Sequence, residues 1–353
     1  MNIAILDFNY TKNHYKFNVQ IIKQIATFAK VISFVQKDYY ESKEFCENNV
    51  ELIELNLPLI NSNPLKNRIL MYKNAKIQIK AMKDYNIDAV VILAFEEISY
   101  AFINKFFSVP VFLFHHQNTD GINSSLIKRF FFNFYKNKVW HISLDKFIKE
   151  GIIGKLKVQS ERVINYNHPN VFPLDKNLAT CKKDLDVKNV ISISNLNCQN
   201  VINEIVNFEN ENKILQKNKI KWVIKSKEKE FNNDFLYVFK GYLDSEKYDE
   251  YFQNADLVVL FYEPTYQYRM SGGLMETLNL GKPVVFLNSM LGEIFSVRYP
   301  SMVFNVHTIE ELFNFIIDFH ATDTNHDIEK FKEDYQCEEC VKELKNKLSV
   351  LIW

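Results

Sequence analysis

Between Ala255 and Leu287 the order of residue types leaves few folds open. A nearly unbroken apolar run, Ala255 to Phe261, leads into a polar loop. Ser271-Gly272-Gly273 then opens a short helical pattern, Leu274 to Leu280, which Gly281 closes before a second apolar run, Pro283 to Leu287. That is strand, loop, helix, strand, and apolar runs without alternation belong to parallel strands covered by helices on both faces. Ser271 is a good N-cap, and two glycines let backbone come close to a ligand. Free N–H groups at a helix start, together with the positive end of its dipole, suit a phosphate. Arg269 stands just before them with a fork of donors for the same anion. Glu276 falls about one turn into the helix, where a carboxylate suits a pair of sugar hydroxyls beside a phosphate. The spacing therefore reads as a nucleotide-sugar site. An ordinary α/β unit that uses Gly-Gly and Gly-Lys-Pro for backbone reasons alone is the plainer alternative.

The same residues carry a resemblance. Arg269, Ser271-Gly272-Gly273, Glu276 and Gly281-Lys282-Pro283-Val284 resemble the donor-binding signature of GT-B glycosyltransferases, in particular the retaining enzymes of glycosyltransferase family 4. The resemblance implies that Glu276 holds the ribose of a donor nucleotide. Ser271, Gly272, Gly273 and Leu274 would hold its diphosphate. Many members carry a second glutamate eight positions before the first; Tyr268 stands there in this chain, and Glu263 is too far away to replace it. Tyr268 is accordingly counted on the donor side without a carboxylate's role.

Earlier strand ends complete the expected site. Val109-Pro110-Val111-Phe112-Leu113-Phe114 runs into His115-His116, and ligands sit at the carboxyl edge of doubly wound sheets. The stretch is similar to the family's N-terminal strand end, which implies that His116, ahead of His115, lies against the donor sugar. A structural histidine pair at a strand end is the alternative to this functional reading. The resemblance implies a basic residue of the second half that neutralises the donor phosphates, because a leaving diphosphate gains charge in the transition state; Lys225, at the end of the Ile220–Ile224 run, is the candidate, with Lys227 second, and a plain solvated turn is the alternative. The first turn, Phe8 to Tyr15, contains no glycine, so a dinucleotide fingerprint is absent. By the resemblance that turn faces the acceptor, and His14 lies on it.

Length bounds the rest: 353 residues make two domains of ordinary size. Equal counts of basic and acidic residues, 43 each, argue against nucleic acid as a general partner. Five cysteines without a spaced framework read as reduced and cytoplasmic, and Cys337-Glu-Glu-Cys340 reads as two helix residues one turn apart rather than half of a zinc site. No signal peptide and no spanning helix are expected. Thirty phenylalanines and eighteen tyrosines are many, and the stretch 124–138 sets five aromatic rings among four basic residues. It reads either as a face lying on an anionic membrane or as core rings with a solvated basic face.

The expected fold is α/β, with two Rossmann-like domains facing across a cleft (GT-B), parallel sheets and helices on both faces. Residues 1–168 form the acceptor-side domain and 169–335 the nucleotide-sugar domain. A C-terminal helix, 336–353, crosses back to the first domain. The expected activity is transfer of a hexose from a nucleoside diphosphate sugar to a hydroxyl of a glycan, lipid-linked or protein-linked acceptor, with retention and without metal or other cofactor. Bacterial surface polysaccharide or glycoconjugate assembly, at the inner face of the cell membrane, is the setting the resemblance implies. An inverting transferase would need a base near residues 7 to 14. A catalytically silent GT-B-like partner subunit is the reading from another class, and Tyr268 keeps it open.

Overall fold

In the structure, a computed structural model describing residues 1–10, 14–45, 49–59, 63–169, 187–241, 243–320 and 324–352, each apolar run expected as a strand joins one of two seven-stranded sheets. The chain divides into two compact units. Met1–Val171, Tyr268–Met270 and Asp334–Trp353 make the first; Phe172–Gln267 and Ser271–Glu333 make the second. Residues 170–173 of the expected domain crossing lie outside the described residues.

In the first unit, β1 (Asn2–Leu6), β2 (Lys30–Gln36), β3 (Val50–Leu55), β4 (Ala89–Ile92), β5 (Val111–Phe114), β6 (Trp140–Ser143) and β7 (Val163–Asn165) form an all-parallel sheet in the order β3-β2-β1-β4-β5-β6-β7. The order reverses between β1 and β4, which pair Ile3 with Ala89 and Leu6 with Ile92. Helices Tyr15–Ala26 and Cys337–Ile352 pack together, while Pro64–Met82, Glu97–Ile103 and Leu126–Asn133 pack in a row. β1, β4 and β5 are almost wholly buried, as strands covered on both faces must be.

Local caps and breaks set three helix boundaries. Helix Pro64–Met82 starts where it does because Asn63 accepts from the N–H groups of Leu65 and Lys66 and Pro64 sits in the first turn. The 124–138 stretch is interrupted at Ser125, which is extended and caps Leu126–Asn133 by accepting from Lys128 N at 3.3 Å. Two helices, Asn325–Asp334 and Cys337–Ile352, end the described chain. At the break the buried Tyr335 donates its hydroxyl to Asp145 at 2.9 Å.

The second unit has β8 (Lys188–Ser192), β9 (Ile220–Ser226), β10 (Phe231–Asn232), β11 (Leu236–Lys240), β12 (Leu257–Leu260), β13 (Val284–Leu287) and β14 (Val303–Val306), ordered β10-β11-β9-β8-β12-β13-β14. Every pairing is parallel except β10 with β11. Its core gathers Trp222, Phe261, Phe313 and the aliphatic faces of β8, β9, β12 and β13. Trp222 is fully buried and satisfies its indole N–H on Ser192 Oγ at 3.0 Å. The order reverses between β8 and β12, so the carboxyl ends of those strands flank the crevice where a doubly wound sheet takes ligand.

Candidate functional site

Helix Gly272–Asn279 starts beside that reversal, directly after β12 and its loop. Ser271 caps it, accepting from Leu274 N at 3.0 Å, and its hydroxyl also meets the Tyr262 hydroxyl at 2.6 Å. Burial pushes the Tyr262 phenol up to about 12, so it remains a neutral O–H partner. With Leu274 N–H taken by the cap, Gly272 and Gly273 carry the N–H groups that an α-helix cannot satisfy for itself. Neither glycine has a positive φ. A Cβ at Gly272 would meet nothing within 4 Å, and one at Gly273 would meet only ordinary contacts at 3.7 Å or more. Backbone conformation and packing therefore do not call for glycine at either position. Two absent side chains keep clear the space over the helix start.

Glu276 is buried one turn on, 7 % exposed, and Tyr248 of helix Ser245–Asn254 donates its hydroxyl to Oε2 at 2.5 Å. Burial and then the Glu276 charge push the Tyr248 phenol far above its usual range, so it acts as a donor throughout. The Gly-Lys-Pro that follows is architectural. Gly281 takes φ +66° to end the helix. Lys282 spans the carbonyls of Gln253 and Ala255 at 2.8 and 2.9 Å, at the end of the helix that carries Tyr248. The same sheet edge holds Lys225, at the end of β9, half-buried and with its ammonium pKa lowered by burial. Asn197 joins the ends of β8 and β9, donating to Ser192 O at 2.6 Å and Lys225 O at 3.0 Å while its buried Oδ1 faces no partner. Lys227 is exposed beyond the strand end.

Arg269 and Tyr268 belong with the first unit. Asp120, itself buried, accepts from Arg269 Nε at 2.7 Å and from Tyr268 N at 2.7 Å. The Tyr268 ring lies against Gly151, where a Cβ would land 2.2 Å from it. The anion at Arg269 Nε is thus a carboxylate of the first unit, where the sequence suggested a ligand phosphate. Tyr268, expected beside the donor, is seated on helix Lys146–Leu156 because Gly151 leaves room for its ring.

The two histidines after β5 part company. His141 Nε2 lies 2.7 Å from Lys136 O, so it carries the proton and leaves Nδ1 as acceptor; His115 Nε2, 2.8 Å from that Nδ1, must then donate. His115 is fully buried in this pair, and burial followed by its two histidine neighbours keeps it neutral. A donor contact for His115 does not fit this placement. His116 turns the other way, donating Nε2–H to Leu93 O at 2.9 Å, at the end of β4. His14 stacks on it with ring centroids 4.8 Å apart, and Phe17 meets it edge-on at 4.7 Å. Burial lowers both imidazoles, and His14 Nδ1 is buried without a partner. Asp7, at the end of β1, is the only carboxylate in the first turn. It accepts from Asn9 N at 2.8 Å and Asn18 Nδ2 at 2.7 Å, and burial raises its pKa to about 6.

No family model and no curated protein matches this sequence. Solved structures do match over essentially the whole chain. HepE of Anabaena in complex with UDP-glucose is 13 % identical with a TM-score of 0.64, covering 99 % of this chain and all of its own. A glycosyltransferase from Rickettsia africae is 11 % identical with a TM-score of 0.63, covering 99 % and 98 %. The lipopolysaccharide outer core galactosyltransferase WaaB, in its apo form, is 12 % identical with a TM-score of 0.58, covering 99 % of each chain.

The chain has the GT-B fold.

Against that GT-B background, the second unit gathers Ser271, Gly272, Gly273, Leu274 and Glu276 on one helix, with Lys225 on the same sheet edge. The first unit gathers His14 with His116, and separately Tyr268 and Arg269 on Asp120. Tyr248, Tyr262, Asn197 and Asp120 were not among the residues expected. Asn197 alone left a sequence signal, a polar residue just past an apolar strand. Among the described residues no group of His, Cys, Asp and Glu is placed to hold a metal ion, and no helix is long and apolar enough to cross a membrane.

Proposed function

We propose that this chain is a glycosyltransferase that moves a hexose from a nucleoside diphosphate sugar to an acceptor hydroxyl. The observation that carries the proposal is the Ser271-capped helix start, kept clear by two glycines that nothing else requires, with buried Glu276 one turn behind it. Its amides and dipole suit a diphosphate, and the Glu276 carboxylate, an acceptor with several lone pairs, suits ribose hydroxyls. Complexes of a like-folded protein with UDP-glucose support the choice of a uridine donor.

In this reading the C–O bond from the anomeric carbon to the diphosphate breaks, and a bond from that carbon to the acceptor oxygen forms. The acceptor proton passes to the departing phosphate oxygen, so retention needs no protein base. Helix amides and Lys225 stabilise the charge left on the diphosphate, without a metal. His116 and His14, neutral at pH 7, would serve the sugar and acceptor from the first unit. Acceptors of the glycan, lipid-linked or protein-linked class, in bacterial surface polysaccharide or glycoconjugate assembly on the cytoplasmic side, complete the proposal. A melting-point screen against UDP and GDP sugars tests it, since a ligand that binds the folded form raises the midpoint. A flat response to all of them would favour the silent-subunit reading.

A further inference from the structure

Helix Leu126–Asn133 packs inside out for a globular chain. Only Phe132 faces the core, against Tyr135 and His141, whereas Leu126 is 82 % and Phe130 59 % exposed, with Ile127 and Phe134 also outward. The rings form a continuous surface: Phe130 meets Phe134 at 5.1 Å and Phe131 at 5.4 Å, and Phe131 meets Phe102 of the neighbouring helix at 5.5 Å. Helix Glu97–Ile103 lies between this helix and Pro64–Met82, joined to them by Lys128–Glu97 and Arg68–Glu96 ion pairs, each 2.9 Å. From Pro64–Met82, Leu65 and Ile69 also stand out, one turn apart.

Charge on these segments is one-sided. Residues 64–82 and 124–138 hold nine basic and no acidic side chains, in a chain whose totals are 43 and 43. Lys128 and Arg129 are engaged by Glu97 and Asn123, but Lys66, Lys73, Lys105 and Lys138 are exposed.

From this pattern we infer that the outer face of the first unit, built on helices Pro64–Met82 and Leu126–Asn133, docks on an anionic phospholipid bilayer. Apolar patches of this kind rarely stay open to water without a partner. Protein interfaces favour Arg and Tyr and are poor in Lys, whereas protruding phenylalanines rimmed by flexible lysines match headgroup phosphates and the acyl boundary beneath them. The inference does not rest on glycosyl transfer, and its test uses no sugar substrate.

The test is co-sedimentation of the full chain with vesicles of phosphatidylcholine alone and with about 30 % phosphatidylglycerol. Binding to the anionic vesicles only, released by about 0.5 M salt, is expected. The triple variant Leu126→Ser, Phe130→Ser, Phe134→Ser should keep its melting midpoint and lose binding by at least about tenfold. In a second variant, Lys136→Glu with Lys138→Glu, preference for anionic lipid should fall, and Phe130→Trp should shift its emission to the blue on adding vesicles. No sedimentation at low salt, undiminished binding by the triple variant, or a patch-dependent dimer that ignores vesicles would overturn the proposal.

Discussion

Tyr248 holds Glu276 by donating its phenolic hydrogen to Oε2 at 2.5 Å, from a helix that starts 27 residues before the one carrying the carboxylate. The buried carboxylate is thereby held in orientation one turn behind the helix start. Removing the hydroxyl in Tyr248→Phe takes away about 1–2 kcal/mol of orientation. The expected result is a donor KM raised about five- to twentyfold with kcat within twofold, because ribose contacts are made equally in ground and transition states. A fall in kcat at constant KM would assign Glu276 a different role.

Gly272→Ala and Gly273→Ala separate packing from binding. Each methyl has room and an allowed φ, so each variant should be as stable as the parent or about 0.4–1 kcal/mol more stable in urea titration. Nucleotide-sugar affinity should nevertheless fall at least about tenfold by calorimetry, since the methyl occupies the space over the helix start. Loss of stability without loss of affinity would make these glycines structural.

Asp120 and Arg269 form a partly buried pair at 2.7 Å, with side chains 7 % and 21 % exposed. Asp120→Ala removes the carboxylate that accepts from the Arg269 guanidinium and the Tyr268 amide, and Arg269→Ala removes the charged donor to a buried carboxylate. Single variants should cost about 2–4 kcal/mol and the double variant less than their sum, with a coupling above about 1 kcal/mol. Additive losses in a double-mutant cycle would remove the pair from the account.

Titration of buried groups gives stability a signed pH dependence. His141 and His168 are each lowered to about 4 by burial, so the unfolded chain takes up protons from pH 6.5 downward while the folded one does not. Stability is full above 6.5 and is lost as pH falls toward 4. Asp7 acts in the opposite sense: raised to about 6 by burial, it penalises the fold as pH climbs from 3.8 to about 6. Asp7→Asn should therefore gain up to about 3 kcal/mol over the parent above pH 6, and nothing below pH 4. Melting curves of both proteins from pH 4 to 8 check this; parallel curves would refute the raised Asp7 pKa.

Local residues made some of this legible. Ser271 announces its cap and Gly281 its helix end, because both act on their own backbone within a few residues. Continuous apolar runs such as Val258-Val259-Leu260-Phe261 declare strands of parallel sheets. Partners across the chain leave no such trace. Asp120 lies 149 positions before Arg269, so a loop arginine that reads as a phosphate ligand has a protein anion instead. His115 and His116 are equivalent as a dipeptide, but successive residues at a strand end face opposite ways, and only the neighbouring β6 supplies the histidine that takes His115 into the core.

The central claim is a diphosphate on the helix start at Gly272 and Gly273 with its ribose at Glu276. Calorimetric titration of the parent and of Glu276→Ala with UDP-glucose tests it most directly. The account predicts saturable one-site binding by the parent and at least about thirtyfold weaker binding by the variant, with an unchanged far-ultraviolet spectrum. Equal affinity in the two proteins would contradict it.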